Sequence, residues 1–243
     1  MDFNDKLTML VISWDGAEEL WKPFSTARKL FWPDCPLKIY LLTQTSTSAE
    51  DLFDKVILIP EKYTSNRIKN ALSYIYSEYI FIVPDDFFIK EKIDTNKFKE
   101  NLYEILKQKP DYVTLTSERN NFIFSLTPSI IKKDLLINLT DKFKNVYARN
   151  FEIQVNDILR QEKINVKYYM HDFFIHCVLE GYWIWSSYKW CKKNGITLTF
   201  KTYHRPNIFH SIYAFFKAFL FNFILKFFPH IYKVYSEKKY CSY

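Results

Sequence analysis

Between residues 7 and 86 short apolar runs alternate with stretches of helical spacing, and few folds accommodate that order. Leu7 to Trp14 (LTMLVISW), Lys38 to Leu42 (KIYLL), Val56 to Ile59 (VILI) and Tyr79 to Val83 (YIFIV) have strand length. They are rich in β-branched and aromatic residues, which suits strands buried on both faces. After the first run, Glu18 to Phe31 carries acids early and Arg28 and Lys29 late, as a helix dipole favours, and Pro33 and Pro36 lie beyond its end. Ser65 to Tyr76 places Ile68, Ala71, Leu72 and Ile75 at helical spacing. This alternation predicts an α/β fold whose strands ending at Trp14, Leu42 and Val83 run parallel and end next to the site.

The last of these runs stops at Pro84, which has no N–H to donate and belongs at a strand's end. Asp85 and Asp86 follow directly. Ligands of open α/β sheets bind beyond the carboxyl ends of the strands, where this order puts both carboxylates. Two hard oxygen ligands can hold Mg²⁺ or Mn²⁺ against the phosphates of a nucleotide. A solvated acidic turn is the alternative. The only glycines are Gly16, Gly181 and Gly195, which cannot make a Walker loop or a dinucleotide fingerprint. Phosphates would therefore be met by a metal, by Lys or Arg, or by a helix N-terminus.

Beyond residue 90 the pattern loosens. Phe98–Lys107 and Ser129–Leu139 read as helices, and Tyr112–Leu115 and Phe122–Leu126 as strands. Asn150 is the expected cap of a helix reaching Lys163. Lys167–Ile175, Cys177–Trp183 and Thr197–Thr202 read as strands, and Ile184–Asn194 as a helix stopped by Gly195. The 243 residues, 48% hydrophobic and 19% aromatic, suffice for one full core without disorder. Residues 1–205 are the expected domain and 206–243 a tail. The four cysteines have no C-x-x-C or zinc-like spacing, so reduced cytosolic thiols are expected. The opening MDFNDKLTMLVI, with its early acids, does not read as a signal peptide.

The net charge of +7 is uneven: from Lys201 onward seven Lys or Arg face only Glu237, which leaves +1 for the first 200 residues. A nucleic-acid surface would spread basic residues over the folded domain, so no nucleic-acid partner is expected. Ser211–Phe228 (SIYAFFKAFLFNFILKFF) can form a helix of ~27 Å, with Lys217 and Lys226 about half a turn out of phase and no clean polar face. Attachment to an anionic inner leaflet through aromatics and lysines is the expectation. A helix packed on the domain, or a span with snorkelling lysines, are the alternatives.

In order and spacing, ISWDGAEELWKPF, WPDCPLKIYLLT, YIFIVPDDFFI, LTPSIIKKDLL and the NFE of Asn150 to Glu152 resemble bacterial GT-A glycosyltransferases of capsular or lipopolysaccharide synthesis. The resemblance covers residues 7 to 200 and departs from the pattern where the usual Asp-x-Asp is Asp85-Asp86. It implies a GT-A-like (Rossmann-like), mostly parallel sheet flanked by helices. It implies metal-dependent, inverting transfer from a nucleotide-sugar donor to a glycan or lipid-linked acceptor at the cytoplasmic membrane face. Glu152 would take the acceptor's proton, its alternative being a carboxylate that merely suits a helix's first turn. Trp14, Asp15, Thr43, Gln44, Arg67, Asp85 and Arg205 would meet the donor. Asp15 can equally be a turn residue, and Arg67 part of a solvated helix face. Asp86, more than Asp85, would hold the metal, with His204 as a late ligand. His171 and His176 also invite a metal reading, but on one strand they would point to opposite faces, so a structural role is expected. Two other readings stay open. One is a nucleotidyltransferase, whose glycine- and arginine-rich N-terminal loop is absent. The other is a catalytically silent, membrane-bound carbohydrate-binding or assembly protein.

Overall fold

A computed structural model describes residues 3–115, 123–169, 171–210, 212, 213 and 216. In chain order the elements are α1 (Phe3–Lys6), β1 (Leu7–Ile12), α2 (Glu18–Phe31), β2 (Lys38–Thr43), β3 (Lys55–Leu58), α3 (Thr64–Ala71), β4 (Tyr79–Pro84) and β5 (Phe87–Ile89). There follow α4 (Thr95–Leu106), β6 (Tyr112–Thr114), β7 (Ser129–Lys132), α5 (Lys133–Lys142), α6 (Ala148–Leu159) and β8 (Val166–Tyr168). The remainder are β9 (Phe174–His176), β10 (Val178–Leu179), β11 (Tyr182–Trp183) and α7 (Trp185–Lys193). Seven strands form one sheet in the order β3-β2-β1-β4-β7-β6-β8. All its pairings are parallel except those of β7, which runs against β4 and β6. This is the mostly parallel, helix-flanked α/β sheet expected. β5 pairs with β9, and β10 with β11, as two small antiparallel ribbons.

The apolar runs are continuous because both faces of the sheet are covered. Along β1 and β4, Leu7, Met9, Val11, Tyr79, Phe81 and Val83 enter one core with Trp21 and Phe24 of α2 and Phe98 of α4. Their alternates Leu10, Ile80 and Ile82 enter a second core with Ile68 of α3, Leu136 of α5 and Phe151 of α6. A strand residue buried this completely contributes about 1.5–3 kcal/mol, so polar alternation would weaken either layer. β1, β2 and β4 are parallel neighbours in register, Ile12 lying beside Leu42 on one side and Pro84 on the other. Their carboxyl ends therefore form one edge.

Several boundaries in the second half differ from the sequence reading. Ser129–Leu139 is not one helix: Ser129–Lys132 is β7, and α5 starts at Lys133. The start of α6 is flanked by Tyr147, so Asn150 lies inside the helix instead of capping it. The expected Lys167–Ile175 strand is split into β8 and β9, and no strand forms over 197–202. Residues 123–126 are not a strand either; Phe122 lies outside the described residues. Gly195 does follow α7, with φ +69, a left-handed conformation that favours glycine. Among the described residues no helix is long and apolar enough to cross a membrane. Most of the predicted 211–228 helix lies outside them.

Candidate active site

Asp85 and Asp86 form the two-residue turn between β4 and β5, at the carboxyl edge of the sheet. Their surroundings diverge. Asp85 is buried and accepts from Ser13 Oγ, which in turn accepts from Trp21 Nε1 at 2.7 Å. Burial, and then the charge of Asp86, push the Asp85 carboxyl well up; the Ser13 hydrogen bond and the Arg67 guanidinium pull against this. Arg67 comes from α3, is itself buried, and donates from Nη1 to the Ser13 carbonyl at 2.5 Å. Its Nε has no hydrogen-bond partner. Burial lowers the Arg67 pKa, with Asp85 and Asp15 opposing.

Asp86 is partly exposed, and its Oδ2 lies 3.0 Å from Nε2 of His176. The β5–β9 ribbon makes this contact by placing Phe87 opposite His176, with the two rings stacked at 4.5 Å. The backbone also ties the turn down: Cys177 N–H donates to the Asp86 carbonyl at 2.8 Å. A carboxylate oxygen and an imidazole nitrogen are thus side by side at the sheet edge. Among the described residues no three of His, Cys, Asp and Glu come together as a metal-holding group. This pair alone suits Mg²⁺ or Mn²⁺ that arrives on phosphates and keeps waters, since such ions need only one or two protein ligands.

Around the start of α2 the acids are engaged by the chain itself. Asp15 accepts from Thr43 Oγ1 at 2.7 Å, Thr45 Oγ1 at 2.5 Å and the N–H groups of Gln44, Thr45 and Ser46. Burial alone would raise its pKa, but these bonds outweigh it and hold the carboxyl well below its usual range. Glu19 accepts from the N–H groups of Lys201, Thr202 and Tyr203, the last at 2.8 Å. That grip sets Tyr203 beside the edge, where burial, then Asp85, then Asp86, push its phenol pKa up; a hydrogen bond with Trp14 opposes them. The Trp14 ring lies against Gly16, where a Cβ would collide with it, so this glycine gives the indole its place.

A cavity of about 490 Å³ opens at the same edge. Ile12, Ser13 and Trp14 line it at and just beyond the end of β1, and Pro84 and Asp85 at and just beyond the end of β4, with Gln44 and Leu126 beside them. Its other wall is the starts of two helices, Thr64 and Arg67 of α3 with Ala148 and Arg149 of α6. Neither start has a side-chain cap, because the preceding residues are Tyr63 and Tyr147. Those rings pack at 5.1 Å, and the Lys62 amine lies 5.7 and 5.6 Å from them. Helix starts without side-chain caps, Lys62, Arg67 and Arg149 together favour an anion in the cavity, while burial biases Asp85, the one acid among its described lining residues, toward neutrality.

The sequence-derived residues divide accordingly. Trp14, Gln44, Arg67 and Asp85 line the cavity, while Thr43 and Asp15 bond each other just behind it. Glu152 accepts from Ser125 Oγ and Leu126 N, both at 2.8 Å, and its second oxygen faces Arg149 at 3.6 Å. It therefore holds two of the cavity's lining residues. His204 packs on Tyr182 at 4.7 Å, and Arg205 lies over Phe200 at 5.7 Å; neither lines the cavity. His171 faces Glu91 at 3.7 Å, apart from the His176 pairing. Lys62, Tyr147, Arg149 and Tyr203 are not singled out by the sequence, and His176, expected there to be structural, instead meets Asp86; only tertiary pairing brings them here.

No known family profile matches the chain, and a search of curated proteins finds no match. Similar solved structures include the bifunctional IspDF of Campylobacter jejuni, at 15% identity and TM-score 0.42, covering 68% of this chain and 49% of that one. A cytidylyltransferase from Leptospira borgpetersenii is 14% identical with TM-score 0.48, covering 82% of this chain and 99% of its own. The glycosyltransferase GlyE of Streptococcus pneumoniae is 12% identical with TM-score 0.48, covering 69% and 46%. The chain thus spans about half the length of IspDF and of GlyE. These likenesses describe the course of the chain, not what it binds.

Proposed function

We propose that the protein is a nucleotide-sugar-dependent glycosyltransferase, and that the cavity receives the donor. The observation that carries this reading is a buried Arg67 in the wall of a cavity flanked by two helix starts without side-chain caps. The Arg67 guanidinium is largely desolvated, and an anionic ligand beside it would gain a charge-assisted partner. A diphosphate suits the double helix start and the Lys62 and Arg149 side chains. The Trp14 indole and the Tyr147 ring offer apolar surfaces for a base. Ser13 and Asp85 offer polar groups for a ribose.

Asp86 and His176 are the residues that would hold Mg²⁺ or Mn²⁺. Such an ion neutralises charge on a departing diphosphate. Tyr203, kept protonated at neutral pH, can donate a hydrogen bond at the same edge. Glu152 orders the 125–126 loop and Arg149, and so shapes the donor wall. Attachment through the C-terminal tail to an anionic cytoplasmic leaflet, and inverting transfer to a glycan or lipid-linked acceptor of a surface polysaccharide, complete the reading.

Titrating the full chain with UDP-, GDP- and CDP-sugars, with and without Mn²⁺, tests it. Metal-stimulated binding followed by release of the nucleoside diphosphate supports glycosyl transfer. Pyrophosphate release from a nucleoside triphosphate would instead identify a nucleotidyltransferase, and no nucleotide binding at all would leave a carbohydrate-binding or assembly role.

A further inference from the structure

Residues 181–236 contain eight Lys or Arg and no Asp or Glu. This acid-free stretch begins well before the tail, at β11, and takes in all of α7. On α7, Lys189, Lys192 and Lys193 are exposed. The Lys189 amine lies over Trp185 at 5.3 Å and that of Lys192 over Tyr188 at 5.2 Å. Tyr188 in turn packs against Phe200 at 6.2 Å, and Phe200 carries the Arg205 guanidinium. Tyr182, just before α7, stacks on His204 and, at 4.0 Å, on His210. One set of ring contacts thus ties α7 to Phe200 and Arg205, and a second ties β11 to His204 and to His210 at the start of the tail.

Those residues present an apolar stripe. Positions 208–210, 212, 213 and 216 are helical, and Ile208, Phe209, Ile212, Tyr213 and Phe216 are all exposed. Spacings of four place 208, 212 and 216 on one helix face, with 209 and 213 beside them. Apolar and aromatic side chains flanked by lysines, with no acid in the stretch, match an interface that is apolar within and anionic at its surface. A protein partner would need acids opposite these lysines, and a second copy of this stretch has none to offer.

We infer that α7 and the start of the tail form one docking surface for an anionic lipid bilayer, the catalytic domain itself supplying lysines to the contact. The inference rests on the membrane part of the reading above and not on its chemistry. The test is flotation of the full chain with vesicles of phosphatidylcholine alone, or mixed with phosphatidylglycerol, at low and high salt. Wild type is expected to float with the anionic vesicles in a salt-sensitive way. The triple variant Lys189→Gln/Lys192→Gln/Lys193→Gln should bind them about tenfold to a hundredfold more weakly. A double variant on the opposite layer, Lys142→Gln/Lys144→Gln, should bind as wild type. Melting curves on the same samples report folding, and nucleotide binding measured beside them lets the transferase reading fail or stand separately. If the triple variant floats like wild type, the tail docks alone and the inference is wrong. If wild type ignores anionic vesicles, or binds neutral ones equally well, the lipid surface is wrong too.

Discussion

Around the start of α2, carboxylates are satisfied by the protein's own chain, whereas across the same sheet edge basic groups converge on open space. Asp15 gathers the 43–46 loop and Glu19 gathers residues 201–203, each through several N–H donors. Lys62, Arg67 and Arg149 instead line a cavity between two uncapped helix starts. On the proposed reading the difference separates scaffolding from binding: fully engaged acids fix loop positions, while cations around the cavity would meet a ligand's charge. Asp85 and Asp86 stand at the boundary, one drawn into the protein's own bonds and the other facing His176.

The comparison is most exposed to attack at that pair. Asp86→Asn should lower kcat about 10³-fold, the scale of several kcal/mol of charge stabilisation, and abolish metal-dependent donor binding with the fold intact. Asp85→Asn, which mimics the neutral carboxyl favoured by burial, should retain the fold and metal dependence. Steady-state kinetics with a Mn²⁺ titration decides, and equal losses in both variants would erase the distinction. Arg67→Met should weaken nucleotide binding about 10²-fold and lower thermal stability, because the Ser13 carbonyl and Asp85 lose their buried partner. Calorimetric titration alongside a melting curve checks both halves.

Glu152→Gln should raise KM for the donor roughly tenfold and cost about 1–3 kcal/mol of stability, because it loosens the 125–126 loop and Arg149. A loss of about 10²–10⁴ in kcat with donor binding unchanged would make Glu152 the general base instead. The smallest effect concerns Asp15. A carboxyl whose folded pKa is depressed contributes stability that is fully present above its unfolded pKa and is lost as pH falls toward the folded one. The stability gap between wild type and Asp15→Asn should therefore be constant near neutral pH and shrink below about pH 4. Denaturant midpoints across that range measure it, and a gap that persists into acid would show that Asp15 acts through shape alone.

The parallel half of the sheet was legible because β1 and β4 are six residues long and buried on both faces, so composition alone exposes them. The strands beyond them have two to four residues, too few for a period to show. Ser129–Lys132 runs straight into α5, and its isoleucines fit a helical spacing as well as a strand; pairing with β4 and β6 decides for the strand. Tyr147 precedes α6 without capping it, and its side chain packs with Tyr63 beside the cavity instead. Asp85 and Asp86 could be located from the strand that precedes them. Their different partners could not: His176 is 90 residues from Asp86 and reaches it only through the β5–β9 ribbon. Lys62 and Arg149 likewise meet only because α3 and α6 start at the same cavity.

The grip of Glu19 on residues 201–203 has a mechanical meaning. A flexible linker would let a surface-bound tail sweep the domain through many heights and tilts. Here the tail's root is fastened to the first turn of α2, with Tyr203 set beside the cavity edge. Any pull on the tail is borne first by those N–H bonds. On the proposed reading, the cavity would thereby be held at a set standoff from the surface to which the tail attaches.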